Sequence, residues 1–269
     1  MYRFCPLEQV GLQQITDCFN AAFSDYEQPI HFTVESFRYY ITASAVDLSL
    51  SFGAFWEDQL VGLILNSSGI YGGEWVVYDA GTGVVPEHRG KNVFSGLFDY
   101  TCQQLHRHNV KKYCLEVLQS NHRAVSIYSK KGFSVRREYS VLTAPGTASP
   151  GEDRVCAVPY SDFAAFSTTC SVSPSFEHTT HTIDRNPQLY EVLYLKGQAY
   201  CVYAKRNGMI LQLHYNELDS LRTVISALLG RYPSVFAKNI DFRYGDVLTL
   251  MAELGFKEIL KQYEMARDI

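Results

Sequence analysis

The sequence lacks the features that mark membrane, secreted and metal-binding proteins. It has no apolar run long enough to cross a bilayer, and its first ten residues, MYRFCPLEQV, lack the apolar core of a signal peptide. The seven cysteines are scattered and never form a CxxC pair, so neither a disulfide framework nor a zinc site is indicated. We therefore expect a cytoplasmic protein with no metal site and no membrane contact.

An excess of positive charge is also missing. The chain has 24 Lys and Arg residues against 28 Asp and Glu residues, a formal net charge of −4, so we do not expect nucleic acid as a partner. What the sequence does have is apolar residues, which make up 46% of its 269 positions. That length and composition are enough for two domains, each with its own core.

A short segment divides the chain in two. Residues 144–154 are rich in Pro, Gly, Ser and acidic side chains and show no hydrophobic periodicity, which predicts a linker between domains 1–143 and 155–269. On both sides of it, strand-like and helix-like segments alternate, so we predict a mixed α/β fold. In the second domain, Asn207-Gly208 between two apolar runs predicts a β-hairpin.

The two halves end alike. Residues 127–133 read IYSKKGF and residues 250–256 read LMAELGF. Each pattern indicates a helix that ends at a glycine C-cap and leads through an aromatic residue into a strand. Since the preceding hairpin, helix and strand also occur in the same order, the sequence predicts a degenerate duplication.

The segment from Gly83 to Phe98, GVVPEHRGKNVFSGLF, joins a predicted strand to a predicted helix. Its turn contains Arg-Gly-Lys, and the first helical turn carries no acidic residue. The amides at a helix start lack acceptors within the helix and lie at the positive end of its dipole, so a strand, glycine turn and helix can cradle a phosphate. A solvated basic turn is the alternative, and these features alone leave both open.

A second motif, NxxAxxxYxxxGF, runs from Asn121 to Phe133. Together with Val-x-Pro and Arg-Gly-Lys in this order, it resembles the GNAT superfamily of acyl-CoA-dependent N-acetyltransferases. The resemblance extends from Met1 to about Leu142, and the second half resembles the same fold more weakly. It implies a tandem of two GNAT-like domains, acetyl-CoA as cosubstrate, and an amine acceptor that is a small molecule or a peptide.

The resemblance also implies where the cofactor binds. The pantetheine arm would pair with the strand before the proline, which includes Gly83, Val84 and Val85. The diphosphate would bind at the turn and the helix start, at Arg89, Gly90, Lys91, Asn92, Val93 and Ser95. Asn121 would bind the pantetheine arm, although helix N-capping would equally explain an asparagine there. Asn92 and Phe94 stand where the family usually has small residues. Asparagine tolerates left-handed backbone, so the turn can form, while the Phe94 ring must point away from the diphosphate.

For the chemistry, the resemblance places Tyr128 as the proton donor to the leaving thiolate, and the backbone N–H near Val84 as the group that polarises the thioester carbonyl. A helical core tyrosine is the alternative for Tyr128. We expect Asp79 to accept the proton of the amine, with Glu116 or water as alternatives. Asp79 could instead be a structural carboxylate in a bulged strand near Gly81. The implied reaction is direct attack of a primary amine on acetyl-CoA within a ternary complex.

The second half lacks the Val-x-Pro and Arg-Gly-Lys motifs and the motif tyrosine. Only Tyr215-Asn-Glu separates its strand from the helix that begins at Leu218, and Met251 stands where the first half has Tyr128. We therefore expect no CoA loop in this half, which could close the acceptor pocket or form a homodimer surface. Two alternatives stay open: a non-catalytic acyl-CoA-binding or regulatory protein, suggested by Asn92 and Phe94, and an interaction protein whose second half binds a macromolecule.

Overall fold

The computed structural model describes residues 1–25, 30–147 and 154–269. They form two compact units, the first made of Met1–Glu116 and Ala266–Ile269 and the second of Val117–Met265. Residues 148–153 of the predicted linker lie outside the described residues, and a strand of the second unit runs on to Pro145. The division at 144–154 therefore stays a prediction about the repeats, whose limits differ from those of the compact units. In the part of the chain described, none of the helices is both long and apolar enough to span a bilayer.

The first unit is a mixed sheet with helices. Its elements are β1 (Arg3–Pro6), α1 (Leu12–Ala22), α2 (Val34–Ala43), β2 (Phe52–Trp56), β3 (Gln59–Tyr71), β4 (Glu74–Val84), α3 (Val93–Arg107) and β5 (Lys112–Leu118), the last two residues of β5 belonging to the second unit. The strands lie in the order β1-β2-β3-β4-β5. Neighbours are antiparallel except β4 and β5, which are parallel because the crossover helix α3 connects them.

Strand β3 forms the centre of this unit. Its consecutive residues Leu63, Ile64 and Leu65 are all fully buried, which requires cover on both faces of the sheet because successive side chains point to opposite sides. Helices α1 and α3 both contact β3. The apolar run in the sequence is thus that of a strand covered on both faces.

Residues 266–269 complete the first unit from far along the chain. The Ile269 N–H donates to the Lys111 carbonyl at 3.0 Å, next to the start of β5. The guanidinium of Arg267 lies 5.7 Å from the centre of the Phe98 ring on α3, a distance suited to a cation–π contact. These contacts tie the two sequence segments of the unit together.

The second unit contains the rest of the elements: α4 (His122–Lys130), β6 (Ser134–Pro145), β7 (Val155–Pro159), β8 (Cys170–Ser171), α5 (Thr180–Ile183), β9 (Tyr190–Leu195), β10 (Ala199–Ala204), β11 (Ile210–Tyr215), α6 (Leu218–Leu229), β12 (Ser234–Asp241), α7 (Gly245–Glu253) and β13 (Lys257–Asp268), whose end belongs to the first unit. The strand order is β13-β6-β12-β11-β10-β9-β7, and β8 pairs with β11. Strands β11 and β12 are parallel.

The duplication predicted from the sequence is confirmed by the order of elements. The series β2-β3-β4-α3-β5-α4-β6 is repeated as β9-β10-β11-α6-β12-α7-β13. Helix α4 ends with Gly132 at φ +88°, and α7 ends with Gly255 at the same angle. The Phe133 and Phe256 amides then donate to the carbonyls of Tyr128 and Met251, each at 3.0 Å, the bonds of a Schellman motif. The mixed α/β prediction is likewise confirmed.

Candidate active site

A bulge distorts β4 just before the predicted site. In the register of β3 against β4, Ala80 is an extra residue, and the Tyr40 hydroxyl donates to its carbonyl. The carboxylate of Asp79, 7% exposed, accepts from the Gly81 N–H at 3.0 Å and from the Thr82 hydroxyl at 2.6 Å. Asp79 therefore holds the bulge, the structural role that the sequence left as an alternative to general base.

Beyond the bulge, β4 and β5 part. Their parallel ladder runs from Val76–Lys112 to Asp79–Leu115, whereas β4 stays paired with β3 as far as Val84. The N–H of Val85 donates to the Val61 carbonyl of β3 at 2.9 Å. Because peptide groups alternate sides along a strand, the Val84 N–H points to the opposite edge of β4. That is the edge where an extended ligand would meet β4.

The turn after β4 adopts left-handed backbone at Gly90, with φ +71°, and at Asn92, with φ +61°. The prediction that an asparagine supports this turn is thus confirmed. Helix α3 has its N-cap at Asn92 and no acidic residue in its first turn. Its first backbone bond of the i to i−4 type runs from the Gly96 N–H to the Asn92 carbonyl at 3.0 Å, so the Val93 N–H lies ahead of the helical hydrogen-bond ladder.

Lys91 places an exposed positive charge at the turn. The Lys91 and Asn92 side chains are exposed, and Val93 is buried at the helix start. The Phe94 ring packs beside that of Phe98, with centroids 5.7 Å apart, one turn further along α3. Ser95 is half-buried in the first turn.

The guanidinium of Arg89 is engaged inside the first unit. Its Nη1 and Nη2 donate to the Asp25 carboxylate at 2.6 and 2.9 Å, Nη2 also to the Ala22 carbonyl at 2.8 Å, and Nε to the Val84 carbonyl at 2.9 Å. The hydrogen bonds to Asp25 raise the pKa of Arg89. The sequence led us to expect the charge of Arg89 at the turn of Gly90 and Asn92, which we call the anion turn. The structure instead directs four hydrogen bonds of the guanidinium to Asp25 and to the carbonyls of Ala22 and Val84, at the end of α1 and of β4.

The glycine at position 83 allows α1 to approach β4. A Cβ atom there would lie 2.7 Å from the Cβ of Ala22, closer than real contacts allow, and 3.1 Å from the Phe23 ring, a tight contact. Val84 and Val85 are each 9% exposed. The alternation of Gly81 and Gly83 along this strand is the feature of the sequence that indicates such close helix packing.

The remaining predicted residues belong to the second unit. Asn121 is the N-cap of α4, and its side-chain oxygen accepts from the Ala124 N–H at 3.0 Å. Tyr128 is half-buried in α4, and its ring packs edge-on against Phe133 with centroids 5.5 Å apart. The structure thus brings together the predicted residues from Asp79 to Ser95 in the first unit, and it groups Asn121 with Tyr128 on one helix in the second.

Comparison with known proteins links the first repeat to a family. Residues 12–133 match the model of the acetyltransferase (GNAT) family. None of the curated proteins compared with the sequence is a significant match.

Several solved structures share the fold across both repeats. A GCN5-related N-acetyltransferase from Sphaerobacter thermophilus has 14% identity over 99% of this chain and 95% of its own, with a TM-score of 0.68. A tandem GNAT protein from the clavulanic acid biosynthesis pathway has 11% identity over 100% and 98%, with a TM-score of 0.66. A GCN5-related N-acetyltransferase from Anabaena variabilis has 14% identity over 99% of this chain and 72% of its own, with a TM-score of 0.59. Residues 12–133 therefore match the GNAT acetyltransferase family, and the chain as a whole shares its fold with solved GNAT structures, one of them a tandem GNAT protein.

Proposed function

We propose that this protein transfers an acetyl group from acetyl-CoA to a primary amine of a small molecule or peptide, by direct attack in a ternary complex. The observation that carries the proposal is the left-handed turn at Gly90 and Asn92, which opens a helix with no acidic first turn. It lies directly after the edge of β4 to which the Val84 N–H points. A diphosphate suits the turn, and an extended amide-bearing arm suits the strand edge.

In this proposal the chain contributes mainly backbone groups to cofactor binding. Amides of the turn and of Val93 in the first turn of α3 hold the diphosphate, while Lys91 adds positive charge and Ser95 a hydroxyl donor. When bound, acetyl-CoA supplies the activated acyl group as a thioester. The Val84 N–H polarises its carbonyl and stabilises the negative charge that develops on the oxygen during attack.

The proton transfers are assigned to the second motif and to solvent. The Tyr128 hydroxyl donates a proton to the departing thiolate, because a phenol is protonated at neutral pH. Asn121 offers its amide N–H₂ to the pantetheine arm, since its side-chain oxygen caps α4. Asp79 is a positioning residue that maintains the bulge through both of its oxygens, and water takes the proton of the amine.

Ligand-induced stabilisation is the first test. Coenzyme A at about a hundred times its Kd stabilises the folded state by about 2.7 kcal/mol, so thermal unfolding should shift upward by several degrees. Release of free thiol should then require both acetyl-CoA and an amine from a panel of small amines and peptides. A shift without amine-dependent thiol release would favour the non-catalytic acyl-CoA-binding protein, and no shift with either ligand would refute both.

Tyr128→Phe tests the chemical step. We expect kcat to fall about a hundredfold, the lower end of what general acid catalysis contributes, while KM for acetyl-CoA changes less than about twofold. Tyr232→Phe is the matched control, because it also removes one hydroxyl of the second unit, the one that donates to the Lys205 carbonyl. Equal kcat in the Tyr128→Phe variant and the wild type would exclude Tyr128 from proton transfer.

A further inference from the structure

The second repeat preserves the strand geometry of the proposed cofactor site. In the pairing of β10 with β11, Leu211 is an extra residue, as Ala80 is in β4. Strand β11 also pairs in parallel with β12, at Ile210–Ala237, just as β4 pairs with β5. The bulge and the parallel partner thus recur together, so β11 has an edge that corresponds to the edge of β4 carrying the Val84 N–H.

In the second repeat this edge is occupied by the chain itself. One edge of β11 pairs with β10, and the other pairs with β8, His214 opposite Ser171 and Tyr215 opposite Cys170. The Val172 N–H then donates to the Leu213 carbonyl at 3.0 Å. We call residues Thr169–Phe176 the plug.

A residue on the opposite side of the plug matches Asn121 of the first repeat. Tyr244 is the N-cap of α7 as Asn121 is of α4. The Tyr244 N–H donates to the Asp241 carbonyl and the Asn121 N–H to the Leu118 carbonyl, each at 3.0 Å. The Tyr244 hydroxyl accepts a hydrogen bond from the Ser173 N–H at 2.9 Å. The position that is proposed to bind the pantetheine arm in the first repeat therefore binds the plug in the second.

The rest of the plug is held by buried polar groups. Arg137 donates to the carbonyls of Ser173 at 2.5 Å and Pro174 at 2.9 Å, and it is itself paired with the buried Asp241 at 2.7 Å. The Asn239 side chain donates to the Ser175 hydroxyl at 3.1 Å.

The plug is exposed at Thr169–Ser171 and enters the core of its unit from Val172 onward. Val172, Ser175 and Phe176 are 4%, 0% and 1% exposed, and Val172 packs in the same apolar core as Leu213 and Val247. Ahead of the plug, the Phe163 ring lies 5.0 Å from the Tyr200 ring. The segment is therefore held by contacts both ahead of the plug and along the edge of β11.

We propose that the plug occupies the edge of β11 that corresponds to the edge of β4 where the pantetheine arm binds, so that each chain binds a single coenzyme A. The pantetheine arm at β4 rests on the proposed function above, whereas the occupation of the β11 edge rests on the contacts of the plug. Loss of the CoA turn alone would leave the polar edge of β11 without strand partners, which is costly in a buried position. The plug supplies those partners from the same chain.

Hydrogen exchange measured by mass spectrometry on the full chain tests this, with coenzyme A as the probe. Without ligand, peptides covering 170–176 should exchange about a hundredfold more slowly than unstructured chain. Tyr244→Phe removes the acceptor of the Ser173 N–H and should speed their exchange about fivefold, the equivalent of one ordinary hydrogen bond. The control Tyr232→Phe loses a comparable bond elsewhere in the same unit and should leave these peptides unchanged.

Adding coenzyme A separates the two proposals. We expect it to slow exchange in peptides covering 83–96 and to leave 170–176 and 209–216 unchanged, with one coenzyme A bound per chain in equilibrium dialysis. Slower exchange in 209–216, or two coenzyme A molecules per chain, would overturn the plug while keeping cofactor binding. Unchanged exchange in every peptide would refute the proposed function. The plug would then be tested by the protection of 170–176 without ligand and by the effect of Tyr244→Phe. Unprotected 170–176 amides would overturn it outright.

Discussion

Arg89 and Asp25 provide a double-mutant test of how the anion turn is held. The guanidinium bonds both oxygens of Asp25 and the carbonyls of Ala22 and Val84, while 30% of the Arg89 side chain and 57% of the Asp25 side chain are exposed. We expect a coupling energy of about 1 kcal/mol, at the top of the range for exposed pairs because the geometry is bidentate. Arg89→Gln should cost about 2 kcal/mol of unfolding free energy, since it also disturbs the bonds to the carbonyls.

The assay is denaturant unfolding of the wild type, Arg89→Gln, Asp25→Asn and the double variant, combined with the Kd for coenzyme A. If Asp25→Asn costs about 1 kcal/mol, this coupling makes the double variant about as stable as Arg89→Gln alone. Both single variants should weaken coenzyme A binding by less than about fivefold, because neither side chain contacts the diphosphate in this account. A coupling energy near zero, together with a tenfold or greater loss of binding in Arg89→Gln alone, would show instead that the Arg89 guanidinium binds the diphosphate.

Three further predictions concern the turn, the helix contact and pH. Asn92→Ala should cost about 1 kcal/mol in thermal unfolding and Asn92→Gly less than about 0.5, because glycine adopts positive φ without strain; equal losses would contradict the left-handed turn. Gly83→Ala should cost about 1–3 kcal/mol by forcing Ala22 away, and an unchanged melting temperature would contradict that contact. Burial lowers the pKa of His178 to about 3 and that of His214 to about 4. The free energy of unfolding is therefore highest above about pH 6.5 and falls below it, because the unfolded chain then takes up protons that the folded chain does not. At pH 5 each histidine lowers the free energy of unfolding by about 2 kcal/mol. Urea unfolding at pH 8 and pH 5 measures the decline, which His214→Gln should roughly halve; an unchanged decline would exclude His214 as a source.

Local patterns were enough to predict most elements of both repeats. Gly132 and Gly255 end helices because left-handed backbone favours glycine, and Asn207-Gly208 lies in the short connection between β10 and β11. Asn92 likewise adopts the backbone that its chemistry permits. Each of these depends on a few neighbouring residues, which is why the sequence alone carries the information.

Contacts between distant residues could not be predicted in this way. Arg89 pairs with Asp25, 64 residues earlier, and nothing near the turn indicates that partner. Strand β8 has only two residues, Cys170–Ser171, too few to show an alternating pattern. The role of Asp79 also depends on the tertiary fold, because a carboxylate in a strand reads the same whether it holds a bulge or accepts a proton.

The tie between Ile269 and Lys111 has a consequence for synthesis. During translation, the whole of the second unit leaves the ribosome before residues 266–269 do, although those residues belong to the first unit. The first unit can therefore gain its final contacts only after roughly 150 further residues have been made, about 8–30 s at typical elongation rates. A fragment ending at residue 143 would contain the anion turn but never receive that closing segment, so the first repeat expressed alone would lack contacts that complete its unit.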